Sequence, residues 1–189
     1  MAVIILASGS LRRIELLKRE GIAFLTHPTD VDETLNHQGK AQELAMYLAL
    51  KKAFSIEKEY SKGEIILGAD TFVVFENKVY GKPVSKDDCF NMVSALSGKT
   101  HSVITGVALV EAGTKNRKVF FEETEVTFKE IPKIELLSYI ETEEPWDKAG
   151  GYAIQGTFSK YIKNLKGDYD NVMGLPVIRV LQELKTFKA

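Results

Sequence analysis

An apolar run at residues 3–7, rich in branched side chains, breaks at Ser8, Gly9 and Ser10, after which Leu11, Ile14, Leu16 and Leu17 recur at helical spacing. The pattern predicts strand, small-residue turn and helix, with Gly21 as the helix C-cap and a second strand over 22–26 before Pro28. Between residues 41 and 60, Leu44, Ala45, Leu48, Ala49, Lys52 and Ile56 return every third or fourth position, which predicts a long amphipathic helix stopped by Gly63. Lys52 falls on its apolar stripe.

Residues 64–75 hold the most hydrophobic stretch, a central-strand pattern that ends at Asp70-Thr71 and resumes at Phe72. Asn77-Lys78 predicts a turn into a short strand at 79–80, and Gly81-Lys82-Pro83 bends the chain toward a helix starting at Ser85, where Asp88 can complete a capping box. Gly98 stops that helix. Strands over 101–110 and 119–128 flank the polar turn 113–116 as a hairpin, and 132–141 reads as a further helix. Residues 147–156 are glycine-rich without a period, 158–165 alternates like a strand, and 176–184 is an amphipathic helix with Pro176 in its first turn. Helices interleaved with apolar strands predict a layered α/β fold. Gly and Pro are scattered singly, so no linker shows and residues 1–189 read as a single domain; the 147–156 loop could sit across a cleft between two lobes.

With 189 residues and 44% hydrophobic content, the chain can fill a core without disulfide staples. Its single cysteine, Cys89, sits in the helical stretch after Ser85, as expected of a protein of the reducing cytoplasm. Twenty-five basic against 26 acidic residues leave a net charge of −1, so neither nucleic acid nor an anionic membrane is expected as a partner. The apolar run at the start is too short for a signal-peptide core or a membrane span, and a cytoplasmic location is expected.

Arg12 and Arg13 fall in the first turn of a helix, where the backbone already carries partial positive charge and orphan N–H donors. A bound anion would account for them; two solvated arginines are the alternative. Asp70, ending a buried apolar run, needs a cation, a hydrogen-bond donor or a metal, unless it caps the next turn through Thr71. Asp32-Glu33 supplies further loop carboxylates, hard oxygen ligands that suit magnesium or manganese. Lys52 on its stripe and Lys82 between Gly81 and Pro83 could enter a phosphate site or snorkel to solvent. His27, His37 and His101 lie far apart, and His101 reads as a structural residue.

These segments together resemble the Maf family of nucleoside triphosphate pyrophosphatases. The likeness runs through residues 6–17, Asp32-Glu33, Gly68-Ala69-Asp70-Thr71, Gly81-Lys82-Pro83, residues 96–101, residues 147–156 and Val172-Met173-Gly174-Leu175-Pro176, in one consistent order. Leu11 stands where the family usually has proline. The resemblance implies a central mixed β-sheet flanked by helices, in two lobes around a cleft, as in inosine triphosphate pyrophosphatase-like folds. It implies a cytoplasmic house-cleaning hydrolase that cuts a nucleoside triphosphate between the α and β phosphates with magnesium or manganese. Glu33 and Asp70 are the implied metal ligands, and Asp70, Glu33, Lys52 and Lys82 the implied catalytic groups, with the division of base and ligand roles between the carboxylates left open. Ser8, Arg12, Arg13, Thr71 and Gln155 are the implied substrate-binding positions, and the block around Gln155 resembles the branch taking dTTP, UTP or modified pyrimidine nucleotides. The alternative it implies is a non-catalytic nucleotide-binding regulator of septum formation; a homodimer is compatible with either.

Overall fold

The computed structural model describes residues 3–33 and 39–187; His37 lies outside them. In chain order the elements are β1 (Ile4–Leu6), α1 (Leu11–Arg19), β2 (Phe24–Thr26), α2 (Ala41–Ile56), β3 (Ile65–Phe75), β4 (Lys78–Tyr80), α3 (Lys86–Leu96), β5 (Thr100–Glu111), β6 (Arg117–Phe128), α4 (Lys133–Tyr139), β7 (Ile162–Lys166), α5 (Tyr169–Met173) and α6 (Val177–Phe187). The strands form one seven-stranded mixed sheet in the order β2-β1-β3-β5-β6-β7, with β4 also on β3. β1 pairs parallel with β2 and β3, whereas β4 pairs antiparallel with β3 and β7 with β6. The layered α/β expectation and the mixed sheet are therefore both observed.

The chain divides into two compact units, residues 1–70, 105–122 and 174–189 in the first, 71–104 and 123–173 in the second. Three of the crossings fall inside β3, β5 and β6, which is why no linker marks them in the sequence.

Local chemistry sets most element ends. After α1 the Gly21 amide donates to the Lys18 carbonyl and the Ile22 amide to that of Leu17, closing the helix as expected. Ser85 caps α3 through its hydroxyl, which accepts from the Asp88 amide at 3.1 Å, while the Asp88 carboxylate accepts from Val84 rather than from Ser85. The β3–β4 turn centres on Glu76 and Asn77, both at positive φ (49° and 61°), one residue earlier than the sequence suggested. The helix expected to reach residue 60 ends at Ile56 and gives way to a 3-10 turn at Glu57–Glu59.

Two expectations need correction. Residues 158–165 are not one strand: Thr157–Tyr161 is a 3-10 turn, and β7 begins only at Ile162. Phe158 and Tyr161, three apart, both turn into the aromatic core of the second unit, a repeat that suits a 3-10 turn and not a pleat. Nor does a strand end at Asp70, because β3 continues unbroken to Phe75. Its pairing with β1 stops at Leu67 and that with β4 starts at Val73, so Asp70 lies between the two registers.

In the first unit α2 rests directly on backbone. A Cβ built on Gly68 would lie 2.1 Å from the Ala49 carbonyl oxygen, and one on Gly106 would lie 2.1 Å from the Ala45 carbonyl carbon. Only glycine allows this approach, which brings Lys52, one turn past Ala49, down onto β3. Gly68→Ala is expected to cost about 3 kcal/mol or more, since the clash is with backbone and no rotamer relieves it. A melting curve checks this: an unchanged Tm would mean that α2 does not need the contact.

The second unit packs around Val93, Leu96, Val126, Phe128 and Phe158, with Cys89 fully buried among them. Burial pushes the Cys89 thiol up to about 11, so it is a core residue with little thiolate character. His101, at the start of β5, is 3% exposed, and burial lowers its pKa to about 4. A base held neutral in this way contributes stability that is present above its ordinary pKa of 6.5 and lost as pH falls through about 4. His101→Phe should therefore flatten the acid limb of the stability profile by about 3 kcal/mol between those pH values. Urea midpoints measured across that range test it; parallel profiles for parent and variant would refute the assignment.

Candidate active site

The turn between β1 and α1 places the first two functional side chains. Ser8 is buried, and its hydroxyl accepts from the Ser10 amide at 3.2 Å and from Arg13 Nη1 at 3.2 Å. Arg13, in the first turn of α1, is only 9% exposed and donates through Nε to the Gly174 carbonyl at 2.8 Å. The first turn of α1 holds no acidic residue. Burial lowers the Arg13 pKa; Asp70 and Glu33 oppose that shift and Arg12 adds to it, so the guanidinium lies within electrostatic reach of both carboxylates.

Lys52 and Asp70 are 7% and 5% exposed and form a buried ion pair, Nζ donating to Oδ1. Glu33, on the loop after β2, brings Oε1 to 2.7 Å from the same ammonium, so two carboxylates converge on one cation. That loop is held to α2 by Lys51, which donates to the Asp32 carbonyl at 2.7 Å. Burial raises the Asp70 pKa, against the pull of Lys52 and Arg13, and Glu33 raises it further. A buried carboxylate made more basic in this way is a better proton acceptor than a solvated one. Two carboxylate oxygens meeting at one point also form a donor set for a hard divalent cation that completes its shell with water and phosphate oxygens. Among the described residues no group of three His, Cys, Asp or Glu side chains gathers, so an all-protein metal cage is not built there.

Ser8, Arg13, Glu33, Lys52 and Asp70 are thus brought together within the first unit. Arg12, half-buried, precedes Arg13 on α1, and Thr71 follows Asp70 in β3. Lys82, exposed after β4, and Gln155, exposed between Tyr152 and the 3-10 turn at 157–161, belong to the second unit. Two participants escaped the sequence: Lys51, whose only signal is its place beside Lys52, and the Gly174 carbonyl, a backbone atom 161 positions from its arginine.

The profile of the family described as Maf-like protein matches residues 3–187. A dTTP/UTP pyrophosphatase of Bacillus cereus is 45% identical over 188 residues, covering 99% of this chain and 96% of that protein, and one of Bacillus anthracis matches to the same extent. The chain belongs to the Maf family. Among solved structures, this Maf protein is similar to a HAM1 protein from Coxiella burnetii, with a TM-score of 0.49 and 20% identity over 70% of this chain and 75% of that one. No helix described in this Maf protein is long and apolar enough to cross a membrane.

Proposed function

We propose that this Maf protein is a metal-dependent nucleoside triphosphate pyrophosphatase, one functional domain that hydrolyses dTTP and UTP to the monophosphate and pyrophosphate. The convergence of Glu33 and Asp70 on Lys52, within electrostatic reach of the buried Arg13, carries this reading. The full-length likeness to dTTP/UTP pyrophosphatases supports the choice of substrate.

Glu33 and Asp70 would hold magnesium or manganese, which when bound supplies Lewis-acid polarisation of a phosphate oxygen. Asp70, made more basic by burial, takes the proton of the attacking water. Lys52 holds both carboxylates at one point and keeps Asp70 from repelling Glu33. Arg13, aimed by Ser8 and the Gly174 carbonyl, neutralises charge developing on the phosphates, and Lys82 does the same from the Gly81-Lys82-Pro83 turn. A binding-only regulator would need the cations but not a positioned carboxylate pair, which favours the enzyme.

Arg12, Thr71 and Gln155 set substrate choice in this reading, with the Gln155 amide offering both a donor and an acceptor to a pyrimidine edge. Gln155→Glu removes the donor, and dTTP and UTP should lose about 10- to 100-fold in kcat/KM while other triphosphates change little. Equal losses across dTTP, UTP, CTP and GTP would refute base reading. The reaction itself is tested by pyrophosphate release from a panel of nucleoside triphosphates with and without magnesium. Release that needs the metal and is fastest with dTTP and UTP is expected; tight nucleotide binding without release would favour the regulator.

A further inference from the structure

A deeply buried polar contact of the second unit lies outside the groups assigned so far. His101 Nε2 meets the Tyr152 hydroxyl at 2.7 Å, with the two residues 3% and 5% exposed. Their rings pack edge to face, 5.4 Å between centroids, and each also packs against Phe128, at 4.9 and 4.8 Å. Among the described residues His101 Nδ1 has no hydrogen-bond partner. Two apolar rings would fill this place without burying an incompletely bonded imidazole, so packing alone does not account for the pair.

Tyr152 stands at the centre of the glycine-rich loop. Just before it Gly150 and Gly151 both have positive φ, 70° and 71°, a backbone other residues resist, so the loop has no regular ladder to hold it. The Gly150 amide donates to the Gly81 carbonyl at 2.9 Å, the residue before Lys82. Three residues after Tyr152 comes Gln155, and beyond it the Thr157 amide donates to Glu144 at 3.2 Å. One buried anchor therefore lies between the turn that carries Lys82 and the position that carries Gln155.

We propose that the His101–Tyr152 pair is a positioning device for substrate choice: it pegs the 147–156 loop, tied at Gly150 to the Gly81 carbonyl, to β5 and sets Gln155 for base recognition. Neither residue touches substrate in this account. The inference rests on the base-reading role given to Gln155 and adds to it the groups that make that role specific.

Tyr152→Phe removes only the hydroxyl, and His101→Phe replaces the imidazole with an apolar ring. For both, kcat and KM on dTTP, UTP, CTP and GTP are measured beside a melting curve at pH 8 and amide hydrogen exchange, with Gln155→Glu as reference. The variants are expected to melt close to the parent and to keep kcat within about threefold, while KM for dTTP and UTP rises about tenfold and that for CTP and GTP changes much less. Faster exchange of the Gly150 amide should accompany the change. If Gln155→Glu shifts the preference but Tyr152→Phe and His101→Phe do not, the positioning role is wrong and the pair only packs. If Gln155→Glu shifts nothing, base reading falls, and exchange at Gly150 decides the peg by itself: unchanged protection in Tyr152→Phe overturns it.

Discussion

Asp70→Asn is expected to lower kcat by about 100- to 10,000-fold while leaving the fold in place. Asparagine keeps the shape of the side chain in the middle of β3 but can neither accept the water proton nor ligate a cation as a carboxylate does. Lys52 still has Glu33 at 2.7 Å, so the ammonium is not abandoned. The pH dependence of stability supports survival of the fold. Because burial raises the Asp70 pKa, the parent loses stability as pH rises from the ordinary carboxylate range through the folded pKa, a loss the asparagine variant does not carry. Single-turnover hydrolysis of dTTP at saturating magnesium, beside circular dichroism, checks both halves. Near-parent turnover in a folded variant would remove Asp70 from the chemistry.

Arg13→Ala should reduce kcat/KM by the equivalent of about 2–4 kcal/mol, the usual loss when one preorganised donor to a developing anion is removed. It should also lower stability by about 1–3 kcal/mol, because the Gly174 carbonyl and the Ser8 hydroxyl lose a buried donor together. Arg13→Lys separates the two effects: a lysine keeps the positive charge but cannot present Nε and Nη1 in the fork that meets both acceptors. A kcat/KM ordered parent, lysine, alanine is expected. Values for the alanine variant within twofold of the parent would make Arg13 a structural cation only.

The readable parts of this fold are those whose partners are near in sequence. The start of α1 after Ser10, its closure at Gly21 and the Ser85 cap each depend on hydrogen bonds spanning a few residues, and the small or polar residue types announce them. The misread parts share the opposite property. The polar pair Asp70-Thr71 looked like a strand end because a charge inside an apolar run is costly, yet β3 continues: the charge is met by Lys52, which arrives from α2, 18 positions away. Residues 158–165 alternate on paper, but the pull of Phe158 and Tyr161 into one aromatic core overrides the alternation.

Of the site, the inventory is legible in the residues alone: which side chains can carry charge, which interrupt an apolar face, and which glycines and prolines bend the chain beside them. Lys52 on a buried stripe and Arg13 at a helix start were visible because local periodicity fixes the face on which a residue lies. The pairings come from how the elements pack. Glu33 and Asp70 meet on Lys52 because Gly68 and Gly106 let α2 lie against the sheet, and Arg13 is aimed by a carbonyl near the far end of the chain. The physical reason is that periodicity reports the direction of a side chain from its own element, whereas a contact also requires the distance between elements, and close packing of the whole chain sets that distance.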